Sequence, residues 1–327
     1  MGGPDELAQL FRGLAGRRES EAPLAPHSSF GIGGPADLLL LPPNVAALRE
    51  AAALAREHGV ALVVLGAGTN VLVSDAGVRG VVLSLKDGFQ ELGIQAGNGG
   101  GGRHAEGGAE VVVRAEAGVK QARLARFAQQ HGLAGAEFMI GIPGTVGGAV
   151  RMNAGTRAAC TADILLDAEV LLPDGRLATL SREEIDLSYR ASALPAEAIV
   201  VAARFRLVRD DPTRIAERMA ADSARRKATQ PLACRSAGSF FKNPPGTSAG
   251  WLIDAAGLKE SAVGDARVSR RHANFLINVG QARARDVVAL MRQVQHSVAC
   301  RWDVWLTPEV TMVGDEHAAH EPEEEAG

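Results

Sequence analysis

Residues 235–244 read RSAGSFFKNP, and they set one hydroxyl, Ser239, behind a glycine, ahead of two phenylalanines, and close to the cation of Lys242 and the amide of Asn243. A serine in a Gly- and Pro-edged turn is by itself a turn residue. The same sequence can also set that hydroxyl beside a cation, an amide and two apolar walls, and the turn alone does not decide what it is for. Two glycine-rich loops offer a different chemistry. LGAGTNVLVSDAG (65–77) follows an apolar run, and its Gly66 and Gly68 let backbone amides approach a phosphate. GIPGTVGGAVRMNAG (141–155) holds five glycines with Pro143, Thr145 and Asn153. Each loop alone is an ordinary tight turn; together they can grip a diphosphate from two sides, with Thr69, Asn70, Ser74 and Thr145 as neutral donors. Val71 stands where the dinucleotide fingerprint G-x-G-x-x-G needs its third glycine, and a strand rather than a helix is predicted after it, which weakens a Rossmann reading.

These loops need elements to carry them. NVAALREAAALAREHGV (44–60) has helical apolar spacing behind an Asn cap, and ALVVLGAG continues as a buried strand and loop. GVVLSL (80–85) reads as a strand, and VVVRAEAGVKQARLARFAQQHGL as a strand feeding an amphipathic helix. DILLDAEVLLPDGRLATL is a hairpin turning at PDG, AIVVAARFRLV is a strand, and DPTRIAERMAADSARRKATQP is a helix capped by Asp211 that leads into a second unit. That unit has a helix at SAGWLIDAAG, a strand at NFLINV, a long helix ARDVVALMRQVQHSVACRW and a final strand around VWLTPEVTMVG. The pattern is α+β. The tract at 97–108 is too glycine-dense to bury apolar surface and is expected to form a mobile surface loop, and the acidic tail 315–327 is expected to be disordered.

The chain has 327 residues, enough for two or three domains. A net charge of -3 with interspersed signs excludes nucleic acid as the main partner. Cys160, Cys234 and Cys300 stand far apart and are odd in number, which fits a reducing, cytoplasmic setting. No apolar core of a signal peptide and no run of about 20 apolar residues is present, so a soluble protein without membrane contact is expected, and the lack of a heptad seam favours a monomer. No metal site is expected.

FGIGGPADLLLLP, LGAGTNVLVSD, GIPGTVGGAVRMNAG, SYRAS, GSFFKNP, AGWLIDAAGLK, HANFLIN and WLTPEV follow one another in an order that resembles the UDP-N-acetylenolpyruvoylglucosamine reductase family, in its shorter form, from about Phe30 to Gly314. The resemblance implies an α+β FAD-binding fold of the vanillyl-alcohol-oxidase superfamily in two subdomains, plus a C-terminal α+β substrate-binding domain. The corresponding spans are 1–20 as an N-terminal extension, 21–86 and 87–212 as the FAD-binding subdomains, and 213–314 as the C-terminal domain. It implies that Gly66, Ala67, Gly68, Thr69, Asn70, Leu72 and Ser74 from the first loop, and Pro143, Gly144, Thr145, Gly147, Asn153 and Gly155 from the second, line FAD. The first loop has no His or Cys, so the flavin is expected to be non-covalent.

The reaction implied is reduction of UDP-N-acetylglucosamine enolpyruvate by NADPH through FAD. Ser239 matches the family's proton donor, Arg190 of SYRAS a holder of the substrate carboxylate, and Glu309 of WLTPEV a group that orients or stabilises the enol form. Lys242, Asn243 and His272 fall at substrate-side positions. Two departures stand out: Gly31 replaces a basic residue common in the family, and Ala191 replaces the acid of the usual YRDS, so another group must orient Arg190. The competing readings are a flavin-free NAD(P)-dependent dehydrogenase and a non-catalytic sugar-nucleotide-binding protein.

Overall fold

The computed structural model describes residues 3–95 and 109–314, so the expectations for the glycine tract and for the acidic tail lie outside the described residues. The first unit contains α1 (Pro4–Leu10), β1 (Arg17–Pro23), β2 (Pro35–Leu41), α2 (Val45–Glu57), β3 (Leu62–Leu65), β4 (Val71–Val73) and β5 (Val78–Ser84). Its sheet runs β1-β2-β5-β3, with β1 antiparallel to β2 and the other pairs parallel. The continuous run of leucines in β2 is explained by burial on both faces. Leu38 and Leu40 join Leu48 and Ala51 of α2 on one side, while Leu39 and Leu41 meet Ala22, Leu65 and Val82 on the other. Asn44 caps α2 by accepting the Ala47 amide at 3.0 Å. Within residues 3–20, Leu7, Phe11 and Leu14 are buried in the core under α2, and β1 starts at Arg17. Strand β1 is an edge strand rich in charge, which hid it from a reading based on apolar pattern.

The middle unit contains β6 (Leu92–Ile94), β7 (Glu110–Glu116), α3 (Gln121–Gln130), β8 (Leu133–Ala134), α4 (Val146–Arg151), α5 (Thr161–Ile164), β9 (Leu165–Leu171), β10 (Leu177–Ser181), α6 (Arg182–Ile185), β11 (Leu187–Ser188), β12 (Ala191–Ser192), β13 (Ile199–Arg209) and α7 (Pro212–Thr229). An antiparallel sheet β10-β9-β13-β7-β6, with β8 beside β13, backs α3 and α4. Asp211 caps α7 through the amides of Thr213 and Arg214, as its sequence predicts. The helix docks on the 3-10 turn Glu137–Gly141 and on α3, with Ile215 and Met219 in that core. It therefore completes the middle unit, and the boundary lies near residue 230 rather than at 212. Only a short apolar stripe marks its contact face, which is why the sequence did not reveal the side to which it belongs.

The C-terminal unit contains α8 (Ala249–Ala255), β14 (Ala262–Val263), β15 (Ala266–Val268), β16 (Leu276–Asn278), α9 (Ala284–Trp302) and β17 (Thr311–Val313). Strands β14-β15-β16 form an antiparallel sheet whose core, with Val268, Leu276, Leu252 and Leu290, also takes in Phe240 and Phe241 and, from the first unit, Phe30 and Leu72. The final strand, expected across VWLTPEVTMVG, is only β17, and it leaves this sheet. It pairs in parallel with β4, Thr311 against Val71 and Val313 against Val73.

Candidate active site

Three segments from three units converge where β17 meets the first glycine loop. Arg190 occupies the tight turn between β11 and β12 at φ +57, a left-handed conformation uncommon for a residue with a side chain. Its Nε donates to Glu309 Oε1 at 2.8 Å. Its Nη2 donates to the Gly155 carbonyl at 2.8 Å and Nη1 to that of Asn153 at 3.4 Å. The orientation that the missing acid at Ala191 would have supplied is thus provided by Glu309 and by two carbonyls of the second glycine loop. Asn153, itself at φ +41, donates through Nδ2 to the Ser188 carbonyl at 2.9 Å and accepts the Ala162 amide at 3.0 Å, which ties the β11–β12 turn to that loop.

Glu309 is held from two sides. Its amide donates to the Phe240 carbonyl at 2.8 Å, and its carbonyl accepts Asn70 Nδ2 at 3.0 Å. Burial raises the Glu309 carboxyl above its ordinary pKa; Arg190 and Lys242 oppose the shift without cancelling it. Ser239 sits one residue before Phe240, half-buried, and among the described residues its hydroxyl has no hydrogen-bond partner. Gly238 before it is at φ +79 with open space over its α-carbon. The segment that follows is locked: Lys242 N donates to the Thr307 carbonyl at 2.8 Å, and Phe241 bridges Pro308.

Other predicted positions divide by what they touch. Gly66 faces Thr145, so that a Cβ on Gly66 would lie 3.0 Å from the threonine Oγ1, and Thr69 Oγ1 donates to the Pro143 carbonyl at 3.1 Å. A Cβ on Gly144, at φ +138, would come within 3.0 Å of Gln121 Nε2 and 3.4 Å of Thr69 Oγ1. The two loops, distant in sequence, therefore meet with bare backbone on both sides, and the buried Gln121 Oε1 at this junction has no protein partner. These residues fit a dinucleotide: neutral donors, close main-chain approach and an unsatisfied buried polar atom. Gly66, Ala67, Gly68, Thr69, Asn70, Pro143, Gly144 and Thr145 can hold it. Leu72, Ser74, Gly147, Asn153 and Gly155 also have contacts within the protein. Leu72 is wholly buried in the C-terminal core, Ser74 Oγ accepts the Ala76 amide, a Cβ on Gly147 would press on Ala117, and one on Gly155 would overlap Cys160.

Of the substrate-side positions, Lys242 is near enough for its charge to oppose the rise in the Glu309 pKa, whereas Asn243 accepts the Ala249 amide at 3.1 Å and donates to Tyr189 Oη at 3.4 Å. His272 is half-buried against Phe275 and accepts the Asn274 amide on Nδ1 at 3.3 Å; burial, aided by Lys259, lowers its pKa. At Gly31, φ +65, any side chain would meet Arg235, whose Cδ would lie 3.1 Å from the added Cβ. An arginine of the C-terminal unit thus covers the position where a basic residue was expected. Asn274 escaped the sequence reading although it stands in HANFLIN between residues that were noticed. A polar side chain inside an apolar run must find partners, and that was its signal. Among the described residues no cluster suited to a metal ion occurs, and no helix is long and apolar enough to cross a membrane.

Comparison with known proteins decides the family. A model described as UDP-N-acetylenolpyruvoylglucosamine reductase, C-terminal domain, matches residues 230–313, and one described as FAD binding domain matches 36–181. The UDP-N-acetylenolpyruvoylglucosamine reductase of Desulfosudis oleivorans is 42% identical over 316 residues, covering 94% of this chain and 97% of the relative. The chain belongs to the UDP-N-acetylenolpyruvoylglucosamine reductase family. Another such reductase, from Anaeromyxobacter sp. (strain K), is 43% identical over 311 residues, 95% of this chain and 89% of the relative. The crystal structure of the Thermus caldophilus reductase superposes with a TM-score of 0.75 at 37% identity, over 92% of this chain and 99% of that one. The start of the C-terminal match at residue 230 agrees with the docking of α7 on the middle unit. A flavin-free Rossmann dehydrogenase is ruled out as the fold, because the first glycine loop runs into strand β4 and not into a helix.

Proposed function

We propose that this reductase-family chain converts UDP-N-acetylglucosamine enolpyruvate to UDP-N-acetylmuramate in peptidoglycan precursor synthesis, with non-covalent FAD and with NADPH as hydride donor. It is read as a cytoplasmic monomer. The observation that carries the proposal is the cluster of Arg190, Glu309 and the Ser239 segment beside the junction of the glycine loops, with Arg190 and Glu309 2.8 Å apart. When bound, FAD supplies hydride to the terminal carbon of the enolpyruvyl double bond. Negative charge then moves toward the substrate carboxylate, and stabilising it is the main demand on the protein. Arg190, its fork fixed by the carbonyls of residues 153 and 155, meets that demand as a permanent cation. A substrate carboxylate arriving at Arg190 adds a second negative charge next to Glu309. Burial already holds the Glu309 carboxyl above its ordinary pKa, the direction that lessens this repulsion. Ser239, with a hydroxyl free of protein partners, delivers a proton to the adjacent enolate carbon.

Ser239→Ala tests this assignment. The variant should bind FAD and be reduced by NADPH at nearly the normal rate, while reoxidation of the prereduced variant by the enolpyruvyl sugar nucleotide slows by at least about a hundredfold. Reoxidation at the wild-type rate would return Ser239 to the status of a turn residue. Prereduced wild-type protein that the sugar nucleotide cannot reoxidise would leave a binding protein and no reductase.

A further inference from the structure

The carboxamide of Asn274 is buried at 3% exposure, and its bonding is directed at one place. Oδ1 accepts the Phe241 amide at 2.9 Å, Nδ2 donates to the Phe241 carbonyl at 2.8 Å, and the Asn274 main-chain carbonyl accepts the Phe240 amide at 2.7 Å. The side chain thus stands in for the edge of a neighbouring strand, satisfying both polar groups of one residue in the two-bond exchange that strands make with each other. On its other side the same segment gives the Phe240 carbonyl to the Glu309 amide at 2.8 Å. Phe240 and Phe241 are wholly buried, so no water can replace these bonds. Just upstream, Ser239 follows a glycine at φ +79 with nothing packed over it, and its hydroxyl has no partner among the described residues. Farther upstream the chain is held at Arg235 by Asn278, at Ser236 by Ser29 Oγ at 2.7 Å and at the buried Ala237, but Gly238 separates these contacts from Ser239, so residues 240 and 241 are the bonded residues that directly follow it.

We infer that Asn274 is a positioning residue, whose carboxamide holds the segment after Ser239 so that the serine hydroxyl is aimed at the substrate and kept in register with Glu309. The inference rests on the proposed role of Ser239, and it reaches beyond that role by naming the group on which proton delivery depends. Asn274 touches neither reacting carbon nor cofactor loop; it acts through the main chain of Phe240 and Phe241. The amide is chemically specific for this task, because a single planar group must offer an acceptor to an N–H and a donor to the carbonyl of the same residue. A carboxylic acid of identical shape can do both only while protonated. Ionised, it would still accept the Phe241 N–H but would set an acceptor, in place of the amide's donor, against the Phe241 carbonyl.

Two variants test the inference on the FAD-loaded protein. Asn274→Ala should slow substrate-driven reoxidation by up to about a hundredfold, the loss typical of a reacting group displaced by an ångström, while reduction by NADPH is retained. Ser239→Ala/Asn274→Ala should then be no slower than Ser239→Ala alone, since two residues acting as one unit do not add. In Asn274→Asp, the reoxidation rate relative to wild type should climb as the pH is lowered and the new carboxyl takes up a proton. Independently of turnover, amide exchange at Phe241, whose acceptor is the Asn274 side chain, should quicken in Asn274→Ala. Multiplicative losses in the double variant, or a pH-independent ratio for Asn274→Asp, would overturn the inference. So would unchanged exchange at Phe241, a readout that stands even if the wild-type protein proves not to reduce the sugar nucleotide.

Discussion

At Gly68 the structure changes the reason why a glycine is required. The sequence suggested that a side chain would block a phosphate, but a Cβ there would lie 1.9 Å from the main-chain oxygen of His27, and φ is +63. The glycine serves the packing of the loop on the preceding 3-10 turn Ala25–His27, and left-handed backbone adds strain for any other residue. Gly66 is different, with no left-handed backbone and only Thr145 Oγ1 within reach of an added Cβ. Two substitutions separate the effects. Gly68→Ala is expected to lower stability by about 2 kcal/mol or more, strain and clash combining, whatever its flavin content. Gly66→Ala is expected to keep its urea midpoint and to bind FAD at least about tenfold more weakly, as for one lost bond to a charged group. Urea unfolding and flavin titration read the two separately, and a stable Gly68→Ala would contradict the steric argument.

Among elements, the contacts that count are those between units. Asp75, in the loop after β4, accepts the amides of Ala284 at 2.8 Å and Arg285 at 3.1 Å and so caps α9 from another unit. Pairing of β17 with β4 and the bond from Asn278 Nδ2 to the Phe30 carbonyl at 3.0 Å tie the same two units. A carboxylate at a helix N-terminus satisfies otherwise orphaned amides and complements the helix dipole. Asp75→Ala should therefore cost about 1 to 2 kcal/mol of stability, measured by denaturant unfolding and by faster exchange in the first turn of α9. An unchanged midpoint would mean that the local contact, the Asp286 carboxylate accepting the Arg283 amide at 2.9 Å, suffices.

For the molecule as a whole, the buried titratable groups set its response to pH. His27 and His272 are held below the ordinary histidine pKa, first by burial and then by Lys86 and Lys259 respectively. The unfolded chain binds protons at these two sites from pH 6.5 downward, before the folded protein does, so stability falls as pH drops through that value. Glu309 works in the opposite sense. Its folded pKa is raised, so the folded state keeps its proton longer, and ionisation costs stability as pH rises above 4.5. Melting temperatures followed from pH 7 to about 5 should decline less in His27→Gln/His272→Gln than in wild type. Parallel declines would show that the two rings titrate normally.

The chemistry of this chain was legible where it depends on local pattern. Asn44 and Asp211 cap the helices their positions predict, the PDG turn joins β9 to β10, and the strand after the first glycine loop appears as β4, because caps, turns and apolar periodicity act over a few residues. The motifs also pointed to Arg190 and Glu309, which an ion pair of 2.8 Å joins, and to the segment of Ser239, whose neighbour Phe240 bonds the Glu309 amide. Tertiary structure decided what depends on partners distant in sequence. It decided that α7 belongs to the middle unit, that β17 pairs with β4, and that Arg235 covers Gly31. It also decided that Arg190 is oriented by Glu309 and by the carbonyls of Asn153 and Gly155 in place of an acid at Ala191. A hydrogen bond or a steric contact across a hundred residues leaves no periodic trace in sequence; its partners are chosen by how the units pack, and only packing reveals them.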